Sequence, residues 1–134
     1  MIKGIGHTAY FVENMEASLH FYCEVLGLKK AFELPRDDGS PWIIYIQVCK
    51  GQFIELFYGG ENKITHPQRS IGYHHLCLEV TDIHAVANHL KSHGVKLDTE
   101  PRQGKDTNWQ CWARDPDGNR IEFMQIIPGS PQSR

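Results

Sequence analysis

The sequence lacks any apolar run of the ~20 residues that a membrane-spanning helix needs, and no basic segment followed by an apolar one opens the chain. It also lacks a marked excess of charge of either sign, since its formal net charge is −2 over 134 residues. A nearly balanced charge gives no electrostatic reason to bind nucleic acid or an anionic membrane. We therefore expect a cytoplasmic protein that has neither nucleic acid nor a membrane as its partner.

The four cysteines are widely spaced, and no Cys-x-x-Cys pair occurs among them. Cys49, Cys77 and Cys111 lie in strand-like runs, and Cys23 lies in a helix-like run. In a reducing compartment such residues behave as small buried hydrophobic side chains. The spacing therefore argues against both a disulfide framework and a cysteine metal site.

One pattern of elements is present twice. Each half begins with an alternating, strand-like run that carries a histidine, His7 in the first half and His75 in the second. A helix-like spacing of apolar residues follows, introduced by Asn14 or Asp82 at an N-cap position. Further strand-like runs lie near 28–35, 42–49, 53–58, 95–101, 108–114 and 120–127. The pattern predicts an α+β fold of two βαβββ modules in tandem.

The length of the chain suits one domain of typical size. We place module one at about residues 4–58, a linker at 59–71 and module two at about 72–127. The linker is polar and contains Pro67. The segment Asp115-Pro116-Asp117-Gly118-Asn119 is a strong turn signal that leads into the last strand.

Two histidines and two glutamates take equivalent positions in the two modules: His7 with Glu55, and His75 with Glu122. Strand alternation directs each glutamate away from its two apolar neighbours, which are then free to pack against the helices. A carboxylate on the opposite, partly apolar face needs a partner, because an unpaired buried charge is strongly disfavoured. A shared divalent cation would supply that partner.

Neutral imidazoles and carboxylates suit ions such as Zn²⁺, Ni²⁺, Co²⁺, Mn²⁺ or Fe²⁺. Four protein ligands in an octahedral shell leave two positions for water or a substrate, as in an open, catalytic site. The sequence thus predicts one divalent metal ion held by His7, Glu55, His75 and Glu122.

Five other histidines have simpler interpretations. His20, His84, His89 and His93 lie in or beside the predicted helices, and we expect them to be solvated. His74 precedes a predicted metal ligand directly, so strand alternation sends it to the opposite face and predicts a structural role.

These residues, together with Phe21-Tyr22-Cys23-Glu24-Val25-Leu26-Gly27-Leu28 and the Asp-Pro-Asp-Gly turn, resemble the vicinal-oxygen-chelate superfamily over about residues 4–127. That superfamily includes glyoxalase I, ring-cleaving dioxygenases and bleomycin-resistance proteins. The resemblance implies cupped mixed sheets with helices outside, and a homodimer whose modules form metal-holding clefts. The ligand order His, Glu, His, Glu is similar to that of bacterial glyoxalase I, the lactoylglutathione lyase.

The similarity to glyoxalase I implies a lyase or isomerase that moves a proton between adjacent carbons of a small substrate with vicinal oxygens. Glu122 would be the favoured base and Glu55 its pseudo-symmetric counterpart. Two positions depart from the glyoxalase I pattern. Phe11 replaces an arginine and Gly59 replaces an asparagine, both of which contact glutathione in that family. The resemblance therefore carries over the metal chemistry and leaves glutathione specificity open.

Other functions of the superfamily are alternatives. A ring-cleaving dioxygenase uses two histidines and one carboxylate on Fe²⁺, and here the second glutamate would fill a position that catechol or O₂ needs. A non-catalytic drug- or metabolite-binding protein, like the bleomycin-resistance proteins, generally lacks the four ligands. A fosfomycin-type thiol transferase typically needs only three metal ligands. It also needs a potassium-binding loop, which this sequence does not show.

Overall fold

The structure is a computed structural model that describes residues 1–65, 67 and 69–133. The chain divides into two compact units, Met1–Ile64 and a second that begins at Thr65. Over the described part of the chain, every helix is too short or too polar to cross a membrane. The predicted linker falls partly on His66 and Gln68, which lie outside the described residues.

The first unit contains a four-stranded sheet. Its strands are β1 (His7–Phe11), β2 (Lys29–Pro35), β3 (Pro41–Cys49) and β4 (Gln52–Phe57). The order across the sheet is β1-β4-β3-β2. The β1 strand runs parallel to β4, and the other neighbours are antiparallel.

The second unit repeats this topology. Its strands are β5 (Leu76–Glu79), β6 (Leu97–Gln103), β7 (Trp109–Arg114) and β8 (Arg120–Gln125). They are ordered β5-β8-β7-β6, with β5 again parallel to β8. Two mixed sheets of the same topology confirm the predicted α+β fold of tandem modules.

A helical segment follows the first strand of each sheet. These segments are α1 (Met15–Leu19), a π-helical segment that continues it (His20–Val25), and α2 (Ile83–Ser92). Asn14 Oδ1 accepts a hydrogen bond from the Ala17 amide at 3.0 Å, and Asp82 Oδ1 accepts from two amides of the first turn of α2. Both predicted N-caps are therefore confirmed. Gly27 and Gly94 follow the helical segments with φ of +71° and +75°, a conformation that a side chain disfavours.

Each sheet has one deeply buried face. In the first sheet it carries Ile54 and Leu56, both 0 % exposed, and in the second it carries Ile121 and Phe123. In the second unit, α2 lies against β6, β7 and β8. Because successive side chains alternate along a strand, the residues between these apolar ones project from the other face. That face carries the two glutamates.

Candidate functional site

The first histidine–glutamate pair lies on the neighbouring strands β1 and β4. The register places Ala9 opposite Glu55, so His7 and Glu55 share a face of the sheet. His7 Nε2 lies 3.4 Å from Glu55 Oε2. The glutamate is buried, whereas 49 % of the His7 side chain is exposed. A buried carboxylate is thus held beside an imidazole that solvent can reach.

Tyr45 is a further member of this pair's surroundings. It is the cross-strand partner of Glu55 on β3, and its hydroxyl donates a hydrogen bond to the Glu55 carboxylate. This bond, with lesser contributions from burial and from the charge of Glu55, raises the pKa of Tyr45 above its ordinary value. Phe32 stacks on the Tyr45 ring at a centroid distance of 4.3 Å. The hydroxyl is therefore well placed to fix one oxygen of Glu55.

The second pair lies at the equivalent place in the other sheet. His75 directly precedes β5, and its Nε2 lies 3.0 Å from Glu122 Oε2 on β8. Glu122 is buried to the same extent as Glu55, and the His75 side chain is 29 % exposed. The same two residue types therefore meet at the same position in both units.

At the second pair a thiol contacts the glutamate, from the strand position that Ala9 takes in the first unit. Cys77 is the cross-strand partner of Glu122 on β5, and its side chain hydrogen-bonds to the carboxylate. Loss of hydration, the charge of Glu122 and this hydrogen bond together raise the pKa of Cys77 to about 12. Cys77 keeps an exposed surface, and the neighbouring carboxylate disfavours its thiolate form.

The two tryptophans of β7 lie on opposite faces, as alternation predicts for Trp109 and Trp112. Trp112 is the cross-strand partner of Glu122, and its ring contacts His75 at a centroid distance of 4.7 Å. Trp109 contacts His84 of α2 at 5.1 Å. Trp112 is therefore the tryptophan that lines the candidate site.

The prediction for His74 is wrong. Its ring lies against that of His75, with the two Nδ1 atoms 2.7 Å apart, and against Trp112 at a centroid distance of 6.1 Å. Both histidines precede the first residue of β5, Leu76. Strand alternation does not govern residues outside the strand, and His74 consequently lies beside the site.

The prediction that the cysteines are buried is also wrong in part. Cys49 and Cys77 are exposed, Cys23 is partly buried and only Cys111 is fully buried. Cys49 ends β3 at a turn, and Cys77 alternates onto the face of Glu122. For Cys111, burial raises the pKa to about 11.

Each unit thus brings together one of the two predicted pairs. Within residues 1–65, 67 and 69–133, no group of three or more histidine, cysteine, aspartate or glutamate side chains is close enough to hold a metal ion. Each pair nevertheless fits the chemistry of a divalent ion, because it offers an imidazole nitrogen and a buried carboxylate oxygen within 3.4 Å of each other. That His7, Glu55, His75 and Glu122 share one ion stays a prediction.

Phe11 gives the face of Glu55 an apolar margin. Its cross-strand partner is Phe57, the rings are 5.1 Å apart, and Phe11 remains 65 % exposed. An exposed phenyl ring on this face offers contact to apolar groups and no attraction for a carboxylate. Gly59 follows β4 with φ of +81°.

Known proteins resemble this chain along nearly its whole length. Residues 4–123 match the model of the Glyoxalase/Bleomycin resistance protein/Dioxygenase superfamily. A lactoylglutathione lyase of Neisseria meningitidis is 32 % identical over 137 residues, covering 92 % of this chain and 91 % of the relative. A 2-epi-5-epi-valiolone epimerase of an Actinomyces species is 25 % identical, covering 95 % of this chain and 81 % of the relative.

The fold has close counterparts among solved structures. The crystal structure of a glyoxalase family protein from Enterococcus faecalis superposes with a TM-score of 0.76 at 25 % identity, covering 92 % of this chain and 98 % of that protein. The match covers residues 4–123. The same strand order in both sheets and the histidine–glutamate pair in each unit agree with it. The chain therefore belongs to the Glyoxalase/Bleomycin resistance protein/Dioxygenase superfamily.

Proposed function

We propose that this protein is a metal-dependent lyase or isomerase that moves a proton between adjacent carbons of a small substrate with vicinal oxygens. The observation that supports this proposal best is the repeated pair: a buried glutamate beside an imidazole at the same sheet position in both units. Relatives named lactoylglutathione lyase and epimerase are consistent with such chemistry. We further propose that the protein acts as a homodimer in the cytoplasm.

In this proposal His7, Glu55, His75 and Glu122 hold one divalent ion, and the repeated donor set is what supports the assignment. A bound divalent ion polarises a carbonyl and stabilises the negative charge that develops on a neighbouring oxygen. The protein supplies the group that takes the proton from one carbon and returns it to the next. Two glutamates are available for that role.

The hydrogen bonds around the glutamates favour Glu122 as the base. Glu55 accepts a bond from the Tyr45 hydroxyl, whereas Glu122 meets the Cys77 thiol, a much weaker donor. A stronger donor holds a carboxylate more firmly in place, which suits a metal ligand better than a group that moves toward a substrate proton. We therefore assign proton transfer to Glu122 and a mainly ligating role to Glu55.

A metal-reconstituted assay in deuterated water tests this function. Metal-free protein is loaded separately with Zn²⁺, Ni²⁺, Co²⁺, Mn²⁺ or Fe²⁺ and given methylglyoxal with and without glutathione, followed by a panel of small hydroxycarbonyl compounds. We expect turnover with at least one ion, one metal ion per chain, and solvent deuterium in the product at the carbon that receives the proton. Oxygen consumption with catechols, or tight ligand binding without turnover in chelator-treated protein, would overturn the proposal.

The phenyl ring at position 11 leads to a prediction about binding of the substrate carboxylates. An arginine at this position would provide a charge-assisted bond to a carboxylate, an interaction of about 1.5–3 kcal/mol. Phe11→Arg should therefore lower the KM for the glutathione-derived substrate by at least about tenfold, while kcat stays within about twofold. Phe11→Leu is the matched control, because it changes the side chain without adding charge. An unchanged KM in Phe11→Arg would show that the face of Glu55 does not meet the glutathione carboxylates.

A further inference from the structure

Both ring nitrogens of His75 are engaged in the structure. Nε2 lies 3.0 Å from Glu122 Oε2, and Nδ1 lies 2.7 Å from Nδ1 of His74. The ring of Trp112 lies against both imidazoles, at 4.7 Å from His75 and 6.1 Å from His74. Contacts at both nitrogens, with a ring packed beside them, leave the His75 imidazole little freedom to rotate.

We propose that His74 is a positioning residue, which holds the His75 imidazole with Nε2 directed at Glu122 and so prepares it to bind metal. The proposal rests on the proposed function only in treating His75 as a metal ligand. A histidine that binds metal through one nitrogen usually donates a hydrogen bond from the other, and this partner fixes its tautomer and orientation. His74 Nδ1 is placed to accept that bond.

An imidazole suits this position because it can act as donor or acceptor. In a neutral imidazole one ring nitrogen donates and the other accepts, and in the metal-free protein the contact with Glu122 suits Nε2 of His75 as the donor. His75 Nδ1 then accepts from His74. When Nε2 binds metal instead, His75 Nδ1 carries the hydrogen and His74 Nδ1 accepts it. His74 thus supports the same ring orientation in both states. A carbonyl oxygen could do so only in the metal-bound state, because it accepts hydrogen bonds and cannot donate one.

In the first unit, no side chain takes the position before the histidine that His74 takes in the second unit. The residue before His7 is Gly6, which has no side chain to meet the imidazole. His7 is also the more exposed histidine, at 49 % against 29 %, and lies farther from its glutamate, at 3.4 Å against 3.0 Å. These differences agree with an imidazole of His75 that is held by contacts with both His74 and Trp112.

Metal affinity, measured by competition with a fluorescent chelator, tests the proposal without any assay of turnover. His74→Phe keeps a ring against Trp112 but removes both nitrogens, and we expect it to weaken binding of Zn²⁺ by about 10–100-fold. His74→Asn places an amide oxygen and nitrogen close to where Nδ1 stood, and it should recover most of the loss. His84→Ala is the matched control, because it removes an imidazole that contacts the other tryptophan of β7. Wild-type affinity in His74→Phe would overturn the proposal.

The ¹⁵N resonances of the His75 ring in metal-free protein separate this proposal from the proposed function. We expect the Nδ1 resonance to move in His74→Phe and to stay in place in His84→Ala. If the wild-type protein bound no metal, the proposed function would fail, while a moved Nδ1 resonance would still support positioning by His74. An unmoved resonance in a folded His74→Phe variant would overturn the positioning role whatever the metal result.

Discussion

Glu122→Gln is expected to lower kcat by a factor of about 10³, within the range that a general acid–base group contributes. Glutamine keeps the size of the side chain and an oxygen for the contact with His75, but it does not accept a proton from carbon at neutral pH. The carboxylate is buried and lies 3.0 Å from His75, and the substitution removes the base of the proposed mechanism from this position. The measurement is kcat at saturating metal, with bound metal determined on the same samples.

Glu55→Gln is the matched variant for this prediction. It removes the equivalent carboxylate from the other pair and leaves Tyr45 with an amide oxygen as its acceptor. We expect weaker metal binding but, at full metal loading, a kcat within about tenfold of wild type, because proton transfer is assigned to Glu122. The reverse ranking of the two variants would reassign the base to Glu55. Wild-type turnover in fully loaded Glu122→Gln would remove Glu122 from the mechanism.

The periodicity of the strands explains why the sequence predicts the face on which each glutamate lies. Side chains alternate with a period of two, so the apolar neighbours Ile54 and Ile121 fix the direction of the glutamate that follows each of them. The same rule separates Trp109 from Trp112. Repetition of the pattern in both halves then indicates which polar residues belong together.

Strand periodicity does not predict the contact between Tyr45 and Glu55. The turn at Lys50–Gly51 pairs Cys49 with Gln52, and an unbroken ladder from there would place Ile46 opposite Glu55. A shift of register between Gln47 and Cys49 moves the pairing by one residue, so Tyr45 meets Glu55 instead. A one-residue shift exchanges the two faces of a strand, and nothing in the local sequence marks this bulge.

The predictions for His74 and Cys77 are wrong for different reasons. His74 lies before the start of β5, where no periodicity fixes the direction of a side chain. For Cys77, by contrast, alternation from Leu76 and Leu78 places the thiol on the face of Glu122. The alternation of the strand therefore outweighs the general preference of cysteine for buried positions.

Removing the proposed divalent metal should destabilise the protein strongly. A ligand that binds only the folded state adds about 4 kcal/mol to the free energy of unfolding when its concentration is 1,000 times its Kd. Two buried carboxylates, each beside an imidazole, supply the folded-state affinity in the proposed site. Thermal and urea unfolding of chelator-treated and metal-saturated protein measure the difference.

The double variant Glu55→Gln/Glu122→Gln is the control, since it has lost both carboxylates and should unfold at nearly the same denaturant concentration with and without metal. Equal stabilities of the wild-type protein in the two conditions would argue that these pairs meet as structural contacts alone.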